Sequence, residues 1–221
     1  MIDLKREGPV LVLQMRAGEN RFNPKFIGAL NAALDQAEGA AEPTALVLTG
    51  DGKYFSNGLD LTWMSGPGKD EAGDVVVGML RIFARVLASP LVCVAALNGH
   101  AFAGGAMLAL ACDFRVMRTD RGFFCIPEID LGLPLAPGMA SIIQAKLPKL
   151  AAHEAIVTGK RYGGVEALER GIVDFAVPEV DLLSKSTALA GPLAGKNRTV
   201  MQAHKRLLYA ETLRLLEGNW S

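Results

Sequence analysis

Strand-like apolar runs and helical stretches alternate twice before the middle of this chain, and that alternation predicts an α/β fold. Residues 91–97 form one continuous apolar run, as a strand covered on both faces requires. With 221 residues, 50% of them hydrophobic, the chain is also long enough to bury a sizeable core.

The elements follow in order. Residues 10–13 read as a strand after Gly8-Pro9. Asn23-Pro24 supplies an N-cap and a first helical residue. Phe26, Leu30, Ala33, Leu34 and Ala37 then recur at helical spacing to about Glu38. Residues 45–49 are a strand ending in the turn Gly50-Asp51-Gly52, and the Gly-, Pro- and charge-rich stretch 66–73 reads as mobile. Val75, Met79, Leu80, Phe83, Val86 and Leu87 mark a second helix that Pro90 stops. Beyond strand 91–97, Asn98-Gly99 turns the chain into a small-residue helix over 105–112. Strands at 114–117 and 123–126, helices at 137–147, 151–158 and 165–170, and a strand at 172–177 complete the pattern. This gives a core over residues 1–178 and a helical tail over 179–221, broken by Pro192 and Gly195, that docks on the core or on another subunit.

Composition excludes several classes of function. Lys plus Arg and Asp plus Glu both number 23, so there is no surplus of positive charge to neutralise phosphates, and nucleic acid is not an expected partner. Three His without an HExxH or paired-His pattern argue against a catalytic metal. Cys93, Cys112 and Cys125 lie in apolar or strand-like stretches without CxxC spacing and read as reduced core thiols. Residues 1–6 carry charges with no apolar stretch behind them, and run 91–97 is too short to cross a bilayer. The C-terminal Asn219-Trp220-Ser221 is not an SKL-type signal. The expectation is a protein of a bacterial-type cytoplasm, without a membrane partner.

Three clusters carry the chemistry, each at the end of an expected strand. They are Phe55-Ser56-Asn57-Gly58-Leu59-Asp60-Leu61, Ala96-Leu97-Asn98-Gly99-His100-Ala101-Phe102-Ala103-Gly104-Gly105-Ala106-Met107-Leu108, and Ile126-Pro127-Glu128-Ile129-Asp130-Leu131-Gly132-Leu133-Pro134. The first two are Gly-bearing loops that can lay backbone N–H groups bare to a ligand. Gly104-Gly105 also opens a helix, whose N-terminus favours developing negative charge. The third sets the Glu128 carboxylate in an otherwise apolar run, with Asp130 two residues on.

In this order and spacing the clusters resemble the crotonase superfamily of enoyl-CoA hydratases and isomerases, in which they read FSAGxDL, AAxNGxAxGGG and PExxxGL. The likeness runs on through Thr158-Gly159 and the stretch 167–174, covering about residues 1–178. It implies a spiral of ββα turns, trimers or dimers of trimers, and an acyl-CoA substrate, with coenzyme A as part of the substrate and no other cofactor. It also implies an oxyanion hole of backbone N–H groups at Leu59 and Gly104. Substrate contacts fall by the same resemblance on Ser56, Asn57, Gly58, Asp60, Phe22, Trp63 and Pro127.

The reaction turns on carboxylates. Family hydratases resemble GGGCEL in the second cluster and carry another Glu in the third. Here Met107 stands where the first would be, and a thioether neither takes nor gives a proton; Glu128 matches the second. One carboxylate can move a proton from C2 to C4 of one substrate, which is the work of a Δ3,Δ2-enoyl-CoA isomerase. Ser56-Asn57-Gly58-Leu59-Asp60-Leu61 with Trp63 further resembles the FSNGxDLxW form of plant-type peroxisomal isomerases. The alternatives are hydration, which a second carboxylate reaching the site from elsewhere, such as loop 66–73, would favour, another thioester reaction such as hydrolysis, or acyl-CoA binding without catalysis.

Plainer readings stand beside these. Asp60 suits a helix cap, Asn23 caps its own helix, and Trp63 and Phe102 either line an acyl pocket or fill core. His100 fits a turn or strand end. Asp130 points away from Glu128 if that stretch is extended. Lys160, Arg161, Lys205 and Arg206 either meet CoA phosphates or are solvated charges at helix ends.

Overall fold

A computed structural model describes residues 1–218; residues 219–221, with the C-terminal signal reading, lie outside the described residues. The charged N-terminal segment forms a strand that the sequence reading did not find. This is β1 (Ile2–Glu7), antiparallel to β2 (Val10–Met15), with Ile2 opposite Met15 and Glu7 opposite Val10. It is the sheet's edge and its last three residues are exposed, so charges there lose little hydration. Next comes α1 (Pro24–Glu38), whose first turn is capped by Asn23 Oδ1 accepting from the Phe26 N–H at 3.0 Å.

The middle of the chain repeats one unit three times. The strand pairs are β3 (Ala45–Gly50) with β4 (Tyr54–Ser56), β5 (Cys93–Leu97) with β6 (His100–Phe102), and β7 (Phe114–Arg118) with β8 (Phe124–Cys125). In each pair the first strand joins the large sheet and the second a small three-stranded sheet, β4-β6-β8. Helices close each turn: α2 (Leu61–Ser65) and α3 (Ala72–Leu87) after β4, α4 (Gly104–Ala111) after β6, and α5 (Pro137–Lys146) after β8. Like strands of successive turns pair in parallel, Leu48 beside Ala95 and Ala95 beside Arg115, which is the expected spiral of ββα turns. Stretch 66–73 is a turn, a short 3-10 turn at Lys69–Glu71 and the start of α3. The chain continues through α6 (Lys149–Thr158), α7 (Gly164–Glu169) and β9 (Phe175–Val177), giving the large-sheet order β1-β2-β3-β5-β7-β9.

Strand 91–97 is covered on both faces, as its composition requires. Cys93, Ala95 and Leu97 pack with α1, α3 and α4, while Val92, Val94 and Ala96 join Val10, Val12 and Val47 on the other face. That second face is closed by the tail helix α8 (Glu179–Ala190) through Leu182 and Ala190. The rest of the tail, α9 (Arg198–Leu208) and α10 (Ala210–Leu216), also docks on its own chain. Leu213 and Leu216 enter the main core, and Arg198 donates to the carbonyls of Glu38, Ala40 and Glu42.

Candidate active site

Two turns abut at the junction of the sheets. After β4, segment 57–60 is zipped to the chain before α1. Asn57 N–H donates to Glu19 O (2.9 Å), Phe22 N–H to Gly58 O (2.8 Å), and Asp60 N–H to Phe22 O (3.0 Å). Gly58 N–H donates to Ser56 Oγ, which itself donates to Asn20 O at 2.7 Å. This pairing uses the amides on either side of Leu59 and leaves the Leu59 N–H with no acceptor among the described residues. After β6, Ala103 N–H donates to Cys125 O at 3.0 Å, and the next amide, Gly104 N–H, begins α4 without an acceptor among the described residues.

Sterics bring the turns together. Gly58 has φ +75°, a left-handed conformation that favours glycine, and a Cβ on it would lie 3.1 Å from Gly104 N. Gly105 lets α4 begin directly against β4, since a Cβ there would collide with Ser56 O. Ala103 has φ +50° and ψ −122°, which costs a residue with a side chain of order 1–3 kcal/mol. The fold holds this strain where it sets the direction of the first turn of α4.

Leu59 and Gly104 line one cavity of about 260 Å³, walled by apolar side chains including Leu61, Met64, Val76, Met79, Leu133 and Met139. Glu128 lies in its wall, just after β8 and Pro127, and is 8% exposed. Its Oε2 is buried without a hydrogen-bond partner. Burial without a compensating charge pushes its pKa up to about 7, only partly opposed by a backbone hydrogen bond. Among the described residues no other ionisable side chain lines this cavity. Met107 is fully buried within α4 and is not part of the wall; Asp70 and Glu71 are also absent from it. Asp130 is not extended beyond Glu128: residues 127–133 form a turn, and the Asp130 carboxylate lies against Gly159.

The structure sorts the other expected residues by place. Asn57 lines the cavity and donates through Nδ2 to Glu19 Oε2 at 2.6 Å. Asp60 caps α2, its Oδ1 accepting from Trp63 N–H at 3.1 Å, and lines a neighbouring cavity of about 440 Å³ with Glu19, Arg21, Asn23 and Lys25. Phe22 and Ser56 have no exposed surface: Phe22 packs edge-on against Phe26 and Phe83, and Ser56 ties two loops together. Gly58 is buried behind the cavity, and neither Pro127 nor Trp63 lines it. The Trp63 indole instead covers Gly68. Lys205 is a buried partner of Asp113 at 2.7 Å rather than a solvated charge, and Lys160 pairs with Glu154 and Glu166. Arg161 stacks over Phe102, and Arg206 approaches Glu217 at 3.9 Å. Among the described residues no group of three or more His, Cys, Asp or Glu can hold a metal ion, and no helix is long and apolar enough to cross a membrane.

Sequence reasoning missed the methionines of the wall and Glu19. Met64, Met79 and Met139 belong to α2, α3 and α5, and nothing in their local spacing sets them apart from core residues. Glu19 precedes α1 and meets Asn57 only through the fold.

A ββα spiral with free backbone amides and one buried carboxylate on an apolar cavity defines an enzyme site of crotonase type. Comparison with known proteins agrees. The family model described as "Enoyl-CoA hydratase/isomerase" matches residues 5–218, and the chain belongs to that family. Enoyl-CoA delta isomerase 3 of Arabidopsis thaliana is 34% identical, over 98% of this chain and 95% of the relative. A putative enoyl-CoA hydratase of Thermus thermophilus is likewise 34% identical, over 92% and 82%. The crystal structure of human mitochondrial delta3-delta2-enoyl-CoA isomerase superposes with a TM-score of 0.88 at 28% identity, covering 96% of this chain and 84% of that one.

Proposed function

We propose that this protein is a Δ3,Δ2-enoyl-CoA isomerase that works with Glu128 as its single acid–base group. The observation that carries the reading is that Glu128 is the one ionisable side chain, among the described residues, on an apolar cavity shared with the unbonded amides of Leu59 and Gly104. The Glu128 carboxylate takes a proton from C2 of a 3-enoyl thioester. The electron pair delocalises over the C3–C4 double bond and the thioester carbonyl as a dienolate. The same carboxyl group then returns a proton to C4, giving the 2-enoyl ester.

The oxyanion forms where Leu59 and Gly104 N–H can donate. Preorganised donors favour the charged dienolate over the neutral carbonyl, each contributing about 3 kcal/mol to the barrier reduction. A pKa of about 7 makes Glu128 a stronger base than a solvated carboxylate while leaving it ionised in a useful fraction at neutral pH. Hydration by two carboxylates lacks its second group here, because Met107 occupies that position inside α4. The charged neighbouring cavity, with Arg21 and Lys25, suits the polar part of a CoA ester, and the reading needs no metal or other cofactor. We place the enzyme in a reducing, cytoplasm-type compartment, which suits its buried, unpaired Cys93, Cys112 and Cys125. We assign it a trimer or a dimer of trimers, which sedimentation of the full chain tests.

Glu128→Ala is the direct test. It should abolish isomerisation while leaving acyl-CoA affinity within a few-fold, and full activity in this variant would overturn the mechanism.

A further inference from the structure

We infer that residues 61–68 form a stapled wall that sets how long an acyl chain the cavity accepts, with Met64 as the length-determining side chain. The inference rests on the acyl-ester reading above and concerns its substrate class.

Most of the cavity wall is core. Met79 is 1% and Met139 7% exposed, each on a helix packed into the main hydrophobic cluster. Two parts of the wall lie outside it. One is the turn carrying Leu131 and Leu133, which is tied to the site because Leu133 N–H donates to Glu128 O at 3.0 Å. The other is α2, which has no buried residue, yet contributes Leu61 and Met64 to the cavity. No apolar anchoring in the core explains why α2 stays over the cavity.

Asp60 ties the start of the segment to Phe22 and Asn23, and Trp63 keeps the rest folded on that anchor. The Trp63 N–H donates to the Asp60 carboxylate, and the Trp63 carbonyl accepts from both Gly66 N–H (3.2 Å) and Gly68 N–H (2.8 Å). The indole covers Gly68, which is buried although its neighbours are exposed. Gly68 has φ −102° and ψ 18°, a conformation open to any residue, so only the indole requires a glycine there. A Cβ at that position would collide with three carbons of the ring. Trp63 thus folds the segment onto itself and presents Leu61 and Met64 to the cavity. Each methylene buried against that wall raises affinity about fourfold, so a wall that moves changes the dependence on chain length.

The test is calorimetric binding of saturated butanoyl-, octanoyl- and dodecanoyl-CoA to the full chain, as wild type, Met64→Trp and Gly68→Ala. Saturated esters cannot isomerise, so the result is independent of the reaction. Met64→Trp should leave butanoyl-CoA within twofold and weaken dodecanoyl-CoA at least tenfold. Gly68→Ala should flatten the rise in affinity with chain length, again with butanoyl-CoA unchanged. The same length profile in all three proteins, or equal weakening at every length, overturns the inference. Failure of the wild type to bind any ester overturns the acyl-ester reading itself.

Discussion

A Cβ on Gly58 would lie 2.9 Å from the Cβ of Ala103, so the turn after β4 and the turn after β6 can touch only because one of the two residues lacks a side chain. The amides of Leu59 and Gly104 stand one residue beyond each member of this pair. Gly58→Ala must therefore both strain a backbone at φ +75° and push the turns apart. The expected cost is about 1 kcal/mol or more in stability. It should be accompanied by a fall in kcat of about 100-fold, the size seen when one oxyanion donor is displaced, with a much smaller change in KM. Steady-state kinetics beside a thermal melt separate the two effects.

Glu128 makes the fold pH-sensitive in a direction opposite to most carboxylates. Its folded pKa of about 7 lies above the ordinary 4.5, so the native state favours the protonated form. Its contribution is complete below pH 4.5 and is lost as pH rises through 7, amounting to about 3 kcal/mol by pH 8. Glu128→Gln removes that titration. The variant should melt several degrees above wild type at pH 8 and close to it at pH 5, despite having lost activity. A gap that does not widen with pH would contradict the burial argument.

The same group sets the pH–rate profile. In the proposed mechanism the ionised carboxylate is the base, so kcat/KM should fall tenfold per pH unit below about 7 and level off above it. A limb near pH 4.5 would mean that Glu128 is solvated in the working enzyme.

A buried charge pair joins the apolar contacts that dock the tail. Lys205 Nζ lies 2.7 Å from Asp113 Oδ2 and donates to Leu91 O at 2.8 Å, and the Lys205 side chain is 6% exposed. Lys205→Met leaves Asp113 without its cation in a largely closed site. The expected loss is about 3 kcal/mol, a drop of about 10 °C in melting temperature.

Much of this was legible in the sequence for a physical reason. Gly58 and Gly104 suit turns that few other residues can form and Glu128 is a carboxylate in an apolar stretch, so their order along the chain carries information. Asn23 before Pro24 marks the start of α1 for the same reason. Strands β4 and β6 were not delimited because three residues are too few for alternation to register, whereas β8 falls inside the strand expected at 123–126. Phe22 and Ser56 lie beside or within the motif yet are wholly buried, and only packing decides which motif residues reach the cavity. The wall is harder still: Met64, Met79 and Met139 meet across three helices, and local sequence holds no trace of that meeting. Asp130 stays away from the cavity, but through a turn at 127–133 rather than through strand alternation.

One carboxylate on the cavity, with no second among the described residues, should limit this site to moving a proton within its substrate. Product analysis with a 3-enoyl-CoA and a 2-enoyl-CoA of equal chain length tests it most directly. Conversion of the 3-enoyl ester to the 2-enoyl ester, with little 3-hydroxyacyl product from either, is the expected result. Rapid formation of 3-hydroxyacyl-CoA would contradict it, because water would then be activated by a second group that the cavity around Glu128 does not contain.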